Sequence, residues 1–147
     1  MYVPPYDAVL TSIGTSREEL KTADEVTIPA QLFRFLMQIA VAHSDFNEAG
    51  YLAANPDVAD ALKAGGIESA RLHYVGFGYF EGRIGATPDV DERWYLKAYP
   101  DVGSAVRAGQ ISSAAEHFTV VGAAEGRSPS IRYSKDAEQW KKALRAA

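Results

Sequence analysis

The chain has 147 residues, 47% of them hydrophobic and 23% charged, with a net charge of −4 and no cysteine. That is enough chain to bury a core without a metal or a cross-link, and it reads as a soluble globular domain rather than a disordered tail or a membrane span. Disulfides, thiolate metal sites and cysteine nucleophiles are excluded outright. A pI near 5.3 also removes nucleic acid as an expected partner, because an acidic surface repels a phosphate backbone.

Residues Met1 to Asp7 lack the basic start and apolar stretch of a secretory signal peptide, so a cytoplasmic location is expected, with leaderless export as the alternative. Ser16, followed three residues later by Glu19, is a capping box that opens a short amphipathic helix to about Thr22. Thr27-Ile28-Pro29 then starts an apolar helix that runs to about His43. Its polar residues Gln31, Arg34 and Gln38 form one narrow stripe, which predicts a helix covered on more than one side. The apolar run contains Arg34 and is shorter than the roughly 20 residues that span a bilayer.

From residue 45 the chain repeats itself. Residues 45–83 align without a gap on residues 89–127, with 19 of 39 positions identical. The shared skeleton predicts three helices per copy. The first helix holds Tyr51-Leu52 or Tyr95-Leu96 and ends before Pro56 or Pro100. Asn55 then suits the cap of a second helix, with Pro56 at its first position and Asp57 beside the positive end of its dipole. Val58, Ala61 and Leu62 make one apolar stripe, and Gly65 or Gly109 stops the helix. Ser69 and Ser113 are natural caps for the third helix, and Ser113 with Glu116 reads as a complete capping box. His73-Tyr74 and His117-Phe118 fall on its inward face, Gly78 or Gly122 is expected to end it, and Glu-Gly-Arg adds a final turn closed by Gly82 or Gly126.

Residues 131–147 form a basic helix with Trp140 and Leu144 four apart, carrying five basic and two acidic side chains. Docking on the acidic body is its expected role, with nucleic-acid or membrane contact as the alternative. No segment alternates with period two. The predicted fold is all-α: two tandem 44-residue three-helix repeats packed with an N-terminal apolar helix and a C-terminal basic helix. The segments are residues 1–44, 45–88, 89–130 and 131–147, and together they are expected to form one compact domain.

Tests for reactive chemistry find little. Gly76, Gly78 and Gly82 have one residue too many for a dinucleotide loop, follow a helix rather than a strand, and lose the first glycine in the second copy. Asp45, Asn47 and Gly50 start like a calcium loop, but the twelfth position is Pro56 instead of a bidentate glutamate. His73 and His117 recur, yet no third ligand accompanies either at metal-binding spacing, so a packing role is expected. Asp57 with Arg83, and Asp101 with Arg127, are placed to clasp each copy shut through a bidentate pair. No nucleophile elbow or triad spacing is present. No catalytic residue, metal or cofactor is expected, and the chain is read as a non-enzyme.

The pattern Tyr51-Leu52-x-x-Asn55-Pro56-Asp57-Val58, then Ala64-Gly65, His73 and Glu81-Gly82-Arg83, resembles a short helical module found in many bacterial proteins, singly or in tandem. The resemblance covers residues 45–83 and 89–127 and implies a structural unit often placed beside glycosyltransferase, sulfotransferase or exported-repeat regions. It implies no activity.

Two readings follow. One is an interaction or structural module that self-associates or binds a protein, through Phe33, Leu36, Met37, Tyr79, Phe80 and Trp94. The other is a carbohydrate- or anion-binding accessory domain, with His73, Arg83, His117, Arg127, Tyr51 and Tyr95 lining the site.

Overall fold

A computed structural model describes residues 2–86 and 89–145. The first residue of the first expected segment and the ends of the second and fourth, at residues 87–88 and 146–147, lie outside them. Among the described residues all regular structure is helical, with no strand, and the chain divides into two compact units, Met1–Thr87 and Pro88–Ala147.

The first unit opens with α1 (Tyr6–Ser12) and α2 (Arg17–Thr22), joined by Arg17, which donates from Nε and Nη2 to the two carboxylate oxygens of Asp7 at 2.5 and 3.0 Å. The Ser16 box forms as expected: the Ser16 hydroxyl accepts from the Glu19 N–H, and the Glu19 carboxylate accepts from the Ser16 N–H. α3 (Ala30–Ala42) starts after Pro29 and ends at His43, whose ring nitrogen bonds the Ile39 carbonyl at 2.7 Å.

Then come α4 (Glu48–Ala54), α5 (Pro56–Lys63) and α6 (Ala70–His73), which widens without a break into a π turn at Tyr74–Gly78. Their core gathers Val41, Tyr51, Val58, Ala70 and Tyr74, with Phe46, Leu52, Ile67 and Val75 around it. The chain after Arg83 returns to the start of α4, where the Asn47 N–H donates to the Gly85 carbonyl at 2.9 Å.

The second unit begins at Pro88. α7 (Glu92–Ala98), α8 (Pro100–Arg107) and α9 (Ala114–His117) lead into a π turn at Phe118–Gly122 around Tyr95, Val102, Ala114 and Phe118. The Asp91 N–H meets the Pro129 carbonyl at 3.1 Å, the counterpart of the Asn47 bond. A 3-10 turn at Ile131–Tyr133 then leads into α10 (Ser134–Arg145).

Five details differ from expectation. Asn55 does not cap α5: its amide donates back to the Tyr51 carbonyl at 2.8 Å and its Oδ1 accepts from Arg83 at 2.9 Å. Gly78 and Gly122 end the third helix as expected, as the last residues of its π turn, but not as left-handed caps. They sit where a Cβ would overlap the hydroxyl of Tyr51 or Tyr95, and the left-handed residues are Gly82 and Gly126, at φ +78° and +70°. Ser113 caps α9, but the Glu116 carboxylate turns to the N–H and hydroxyl of Ser112, one residue before the box position.

α3 is covered on one side only: Val41 enters the core and Arg34 reaches the Gly76 carbonyl, while Phe33, Phe35 and Leu36 are left outside. Trp140 and Leu144 of α10 are likewise exposed; the helix meets its unit through the Lys141 stem, whose Cβ, Cγ and Cδ lie 3.6 Å from where a Gly126 Cβ would stand.

Candidate functional site

The recurring polar residues converge in the same way in each unit. α4 buries Tyr51 and presents its hydroxyl to His73 Nδ1 at 3.0 Å; α7 does the same with Tyr95 and His117, also at 3.0 Å. The π turn makes this approach possible by bringing a glycine, Gly78 or Gly122, against each hydroxyl. Burial raises the Tyr51 and Tyr95 hydroxyls above the ordinary phenol value of 10.0, Tyr95 to about 12, with the nearby Arg83 or Arg127 acting the other way.

The expected clasp is present in both units. Arg83 donates to both Asp57 oxygens at 2.9 and 2.8 Å, and from Nε to Glu81 at 2.8 Å. Arg127 donates to Asp101 at 3.0 and 2.8 Å and to Glu125 at 2.6 Å. The guanidinium bonds hold Asp57 and Asp101 below the usual carboxylate value, and the carboxylates hold both arginines above theirs. Where the first unit adds Asn55, the second has Tyr99, with Arg127 over its ring at 5.0 Å and its hydroxyl accepting from the Ser128 N–H at 2.8 Å. The lost amide is thus replaced by an aromatic ring with the same anchoring role.

Chemically, this constellation is self-consumed. Each guanidinium faces two carboxylates of its own unit, so neither Arg83 nor Arg127 offers a free cation to an anion or a sugar carboxylate. Among the described residues no group of three or more His, Asp or Glu side chains is arranged to hold a metal ion, and none of the helices is long and apolar enough to cross a membrane.

The residues expected to make outside contacts divide into two sets. Phe33 and Leu36 are exposed on α3, with Phe35 beside them, and Met37 is half-buried. Tyr79 is exposed at its edge and packs perpendicular to Tyr74 and Phe80 at 6.1 and 5.3 Å. Phe80 and Trp94 are instead drawn into their own units: Arg34 lies over the Phe80 ring at 4.2 Å, and Trp94 packs edge-on to Tyr99 at 6.0 Å.

Three anchors were not foreseen. Arg34 donates to the Gly76 carbonyl at 3.0 Å, Arg71 donates to the carbonyls of Ala42 and Ser44 at 2.7 and 3.0 Å, and Glu92 accepts from the Ala114 N–H at 2.9 Å. The two arginines fasten α3 along the α6 segment, and the position matching Arg71 in the second copy is Ala115, which has no such reach. An arginine present in one copy and absent from the other was the available signal.

No protein-family model matches this chain, and neither a curated protein nor a solved structure shows significant similarity to it.

Proposed function

We propose that this chain is a non-enzymatic interaction module, two tandem copies of one 44-residue helical unit of the bacterial type its motif resembles, which self-associates through the outer face of α3. The observation that carries the reading is the pairing of the recurring polar side chains with one another: Asp57 with Arg83, Asp101 with Arg127, Tyr51 with His73 and Tyr95 with His117. Residues kept in both copies are engaged in holding a unit together, which leaves apolar surface as the feature available to a partner. The α3 face supports this role, since Phe33 and Leu36 are large, exposed and one turn apart on a helix fastened by its opposite side, with Phe35 exposed at its flank.

The carbohydrate- or anion-binding reading is disfavoured by the same geometry, because a ligand would have to displace Asp57 or Asp101 from an arginine. Sedimentation velocity across a wide concentration range tests the proposal. The wild-type chain is expected to associate and the Phe33→Glu/Leu36→Glu variant to remain monomeric while keeping its helical spectrum. A wild-type chain that stays monomeric at the highest concentration overturns it.

A further inference from the structure

The proposed self-association leaves the occupant of the α3 face unnamed, and the present inference rests on that reading. Among the described residues, two helices carry apolar stripes of equal spacing whose large side chains are exposed. On α3, Phe33, Leu36 and Ala40 recur at i, i+3 and i+7 and are all exposed, Phe33 by 56% and Leu36 by 49%. On α10, Ala137, Trp140 and Leu144 recur at the same spacing, with Trp140 49% and Leu144 73% exposed. Stripes of this spacing are the ridges by which helices pack on one another.

Charge decides which stripe meets which. Residues 1–87 carry six basic and eleven acidic side chains, a net charge of −5, with Asp24 and Glu25 leading into α3 and Asp45 and Glu48 following it. Residues 131–147 carry a net charge of +3. α3 itself has one charged residue, Arg34, and that guanidinium is already engaged at the Gly76 carbonyl and the Phe80 ring. Pairing α3 with α3 brings two acidic surfaces together, and pairing α10 with α10 brings two basic ones. Pairing α3 with α10 alone joins opposite charges as well as two apolar stripes.

We infer that the basic α10 helix of one copy packs on the apolar α3 face of a second copy, and that the contact is reciprocal. The area argues for reciprocity. The exposed parts of Phe33 and Leu36 amount to about 200 Å² and those of Trp140 and Leu144 to about 250 Å². One such contact buries roughly 450 Å² of apolar surface, well short of the roughly 1,200 Å² of a stable interface, whereas two related by a twofold axis reach about 900 Å² before the alanines and the charged rim are added. An anionic bilayer also suits α10, but it leaves the α3 stripe without a partner, whereas a second copy uses both.

Sedimentation equilibrium of full-length chains, with phosphatidylserine vesicles in a parallel arm, provides the test. Trp140→Glu is expected to raise the dimer Kd about tenfold or more, as loss of a buried aromatic anchor does. The charge-reversed variants Lys135→Glu/Lys142→Glu and Asp24→Lys/Glu25→Lys are each expected to dimerise more weakly alone and to recover when mixed, because only the mixture restores opposite charges at both contacts. Recovery on mixing cannot come from unfolded chains, so a folding defect does not imitate it.

Association abolished by Phe33→Glu/Leu36→Glu but indifferent to Trp140→Glu and to the charge variants overturns this pairing and leaves the α3 reading standing. A monomeric wild-type chain overturns both. Vesicle binding that depends on Trp140, together with a dimer Kd that does not, assigns α10 to a membrane surface and overturns the inference.

Discussion

Two glycines of one π turn should respond to the same substitution with opposite signs. A Cβ at Gly76 meets no heavy atom within 4 Å, whereas a Cβ at Gly78 falls on the Tyr51 hydroxyl and 3.2 Å from its Cζ. Neither residue has a positive φ, so Gly76→Ala gains the helical preference of alanine, about 0.5–1 kcal/mol. At Gly78 the same gain is outweighed by overpacking, about 1–3 kcal/mol, and by loss of the Tyr51–His73 hydrogen bond as the hydroxyl is displaced, about 1 kcal/mol.

Tyr51→Phe alone costs about 1 kcal/mol for that bond. In the Tyr51→Phe background the oxygen that Gly78→Ala collides with is gone, so the two changes should be non-additive by about 1–2 kcal/mol. Urea unfolding followed by circular dichroism on the four variants of this cycle, with Gly76→Ala as the control, gives the coupling. Strict additivity of Gly78→Ala and Tyr51→Phe, or equal effects at Gly76 and Gly78, refutes the packing of hydroxyl against glycine on which the unit is built.

Three further expectations concern the clasp, the buried phenols and α3. Because their arginines hold Asp57 and Asp101 below the ordinary value of 3.8, each contributes stability above about pH 4 that is lost as the pH falls through its folded pKa. The melting temperatures of Asp57→Asn and Asp101→Asn should therefore lie below that of the wild type at neutral pH and converge with it in acid; a difference that is constant with pH counts against the pairs. Burial raises Tyr51, Tyr74 and Tyr95, so three of the eight tyrosines should ionise late in an alkaline absorbance titration of the folded chain. Their stabilisation is full below pH 10 and fades as the pH rises toward about 12 for Tyr95, and a single step near pH 10 would contradict it. Arg34→Ala removes both the bond to the Gly76 carbonyl and the stack on Phe80, and hydrogen exchange in residues 30–42 should quicken while residues 92–107 stay protected.

Short-range chemistry was readable in advance. The Ser16 box, the Pro-started helices at Pro56 and Pro100, and the left-handed glycines Gly65, Gly82, Gly109 and Gly126 all depend on neighbours within a few residues. Duplication extended that reach: because Asp57 and Arg83 recur together as Asp101 and Arg127, an ion pair between residues 26 apart could be anticipated.

The remainder depends on contacts that no local pattern records. Gly78 does end its helix, but no local pattern shows that the Tyr51 hydroxyl, brought from α4, is what needs a glycine there. Asn55 looks like a cap until Arg83 arrives to take its oxygen. On α3 the narrow polar stripe predicts cover on more than one side, but Arg34 bonds a carbonyl and stacks on an aromatic ring of the body, so one side is fastened and the phenylalanines stay exposed.

The account rests on the recurring arginines being held by carboxylates of their own unit. Nitrogen-15 spectra of the guanidinium groups at neutral pH measure this directly. Arg83 and Arg127 should give two shifted, slowly exchanging Nε–H signals that ignore added phosphate, sulfate or acidic sugars, with Glu81→Gln perturbing the Arg83 signal alone and Glu125→Gln the Arg127 signal alone. Fast exchange typical of free arginine, or shifts that titrate with an added anion, would show that these side chains face a ligand and not each other.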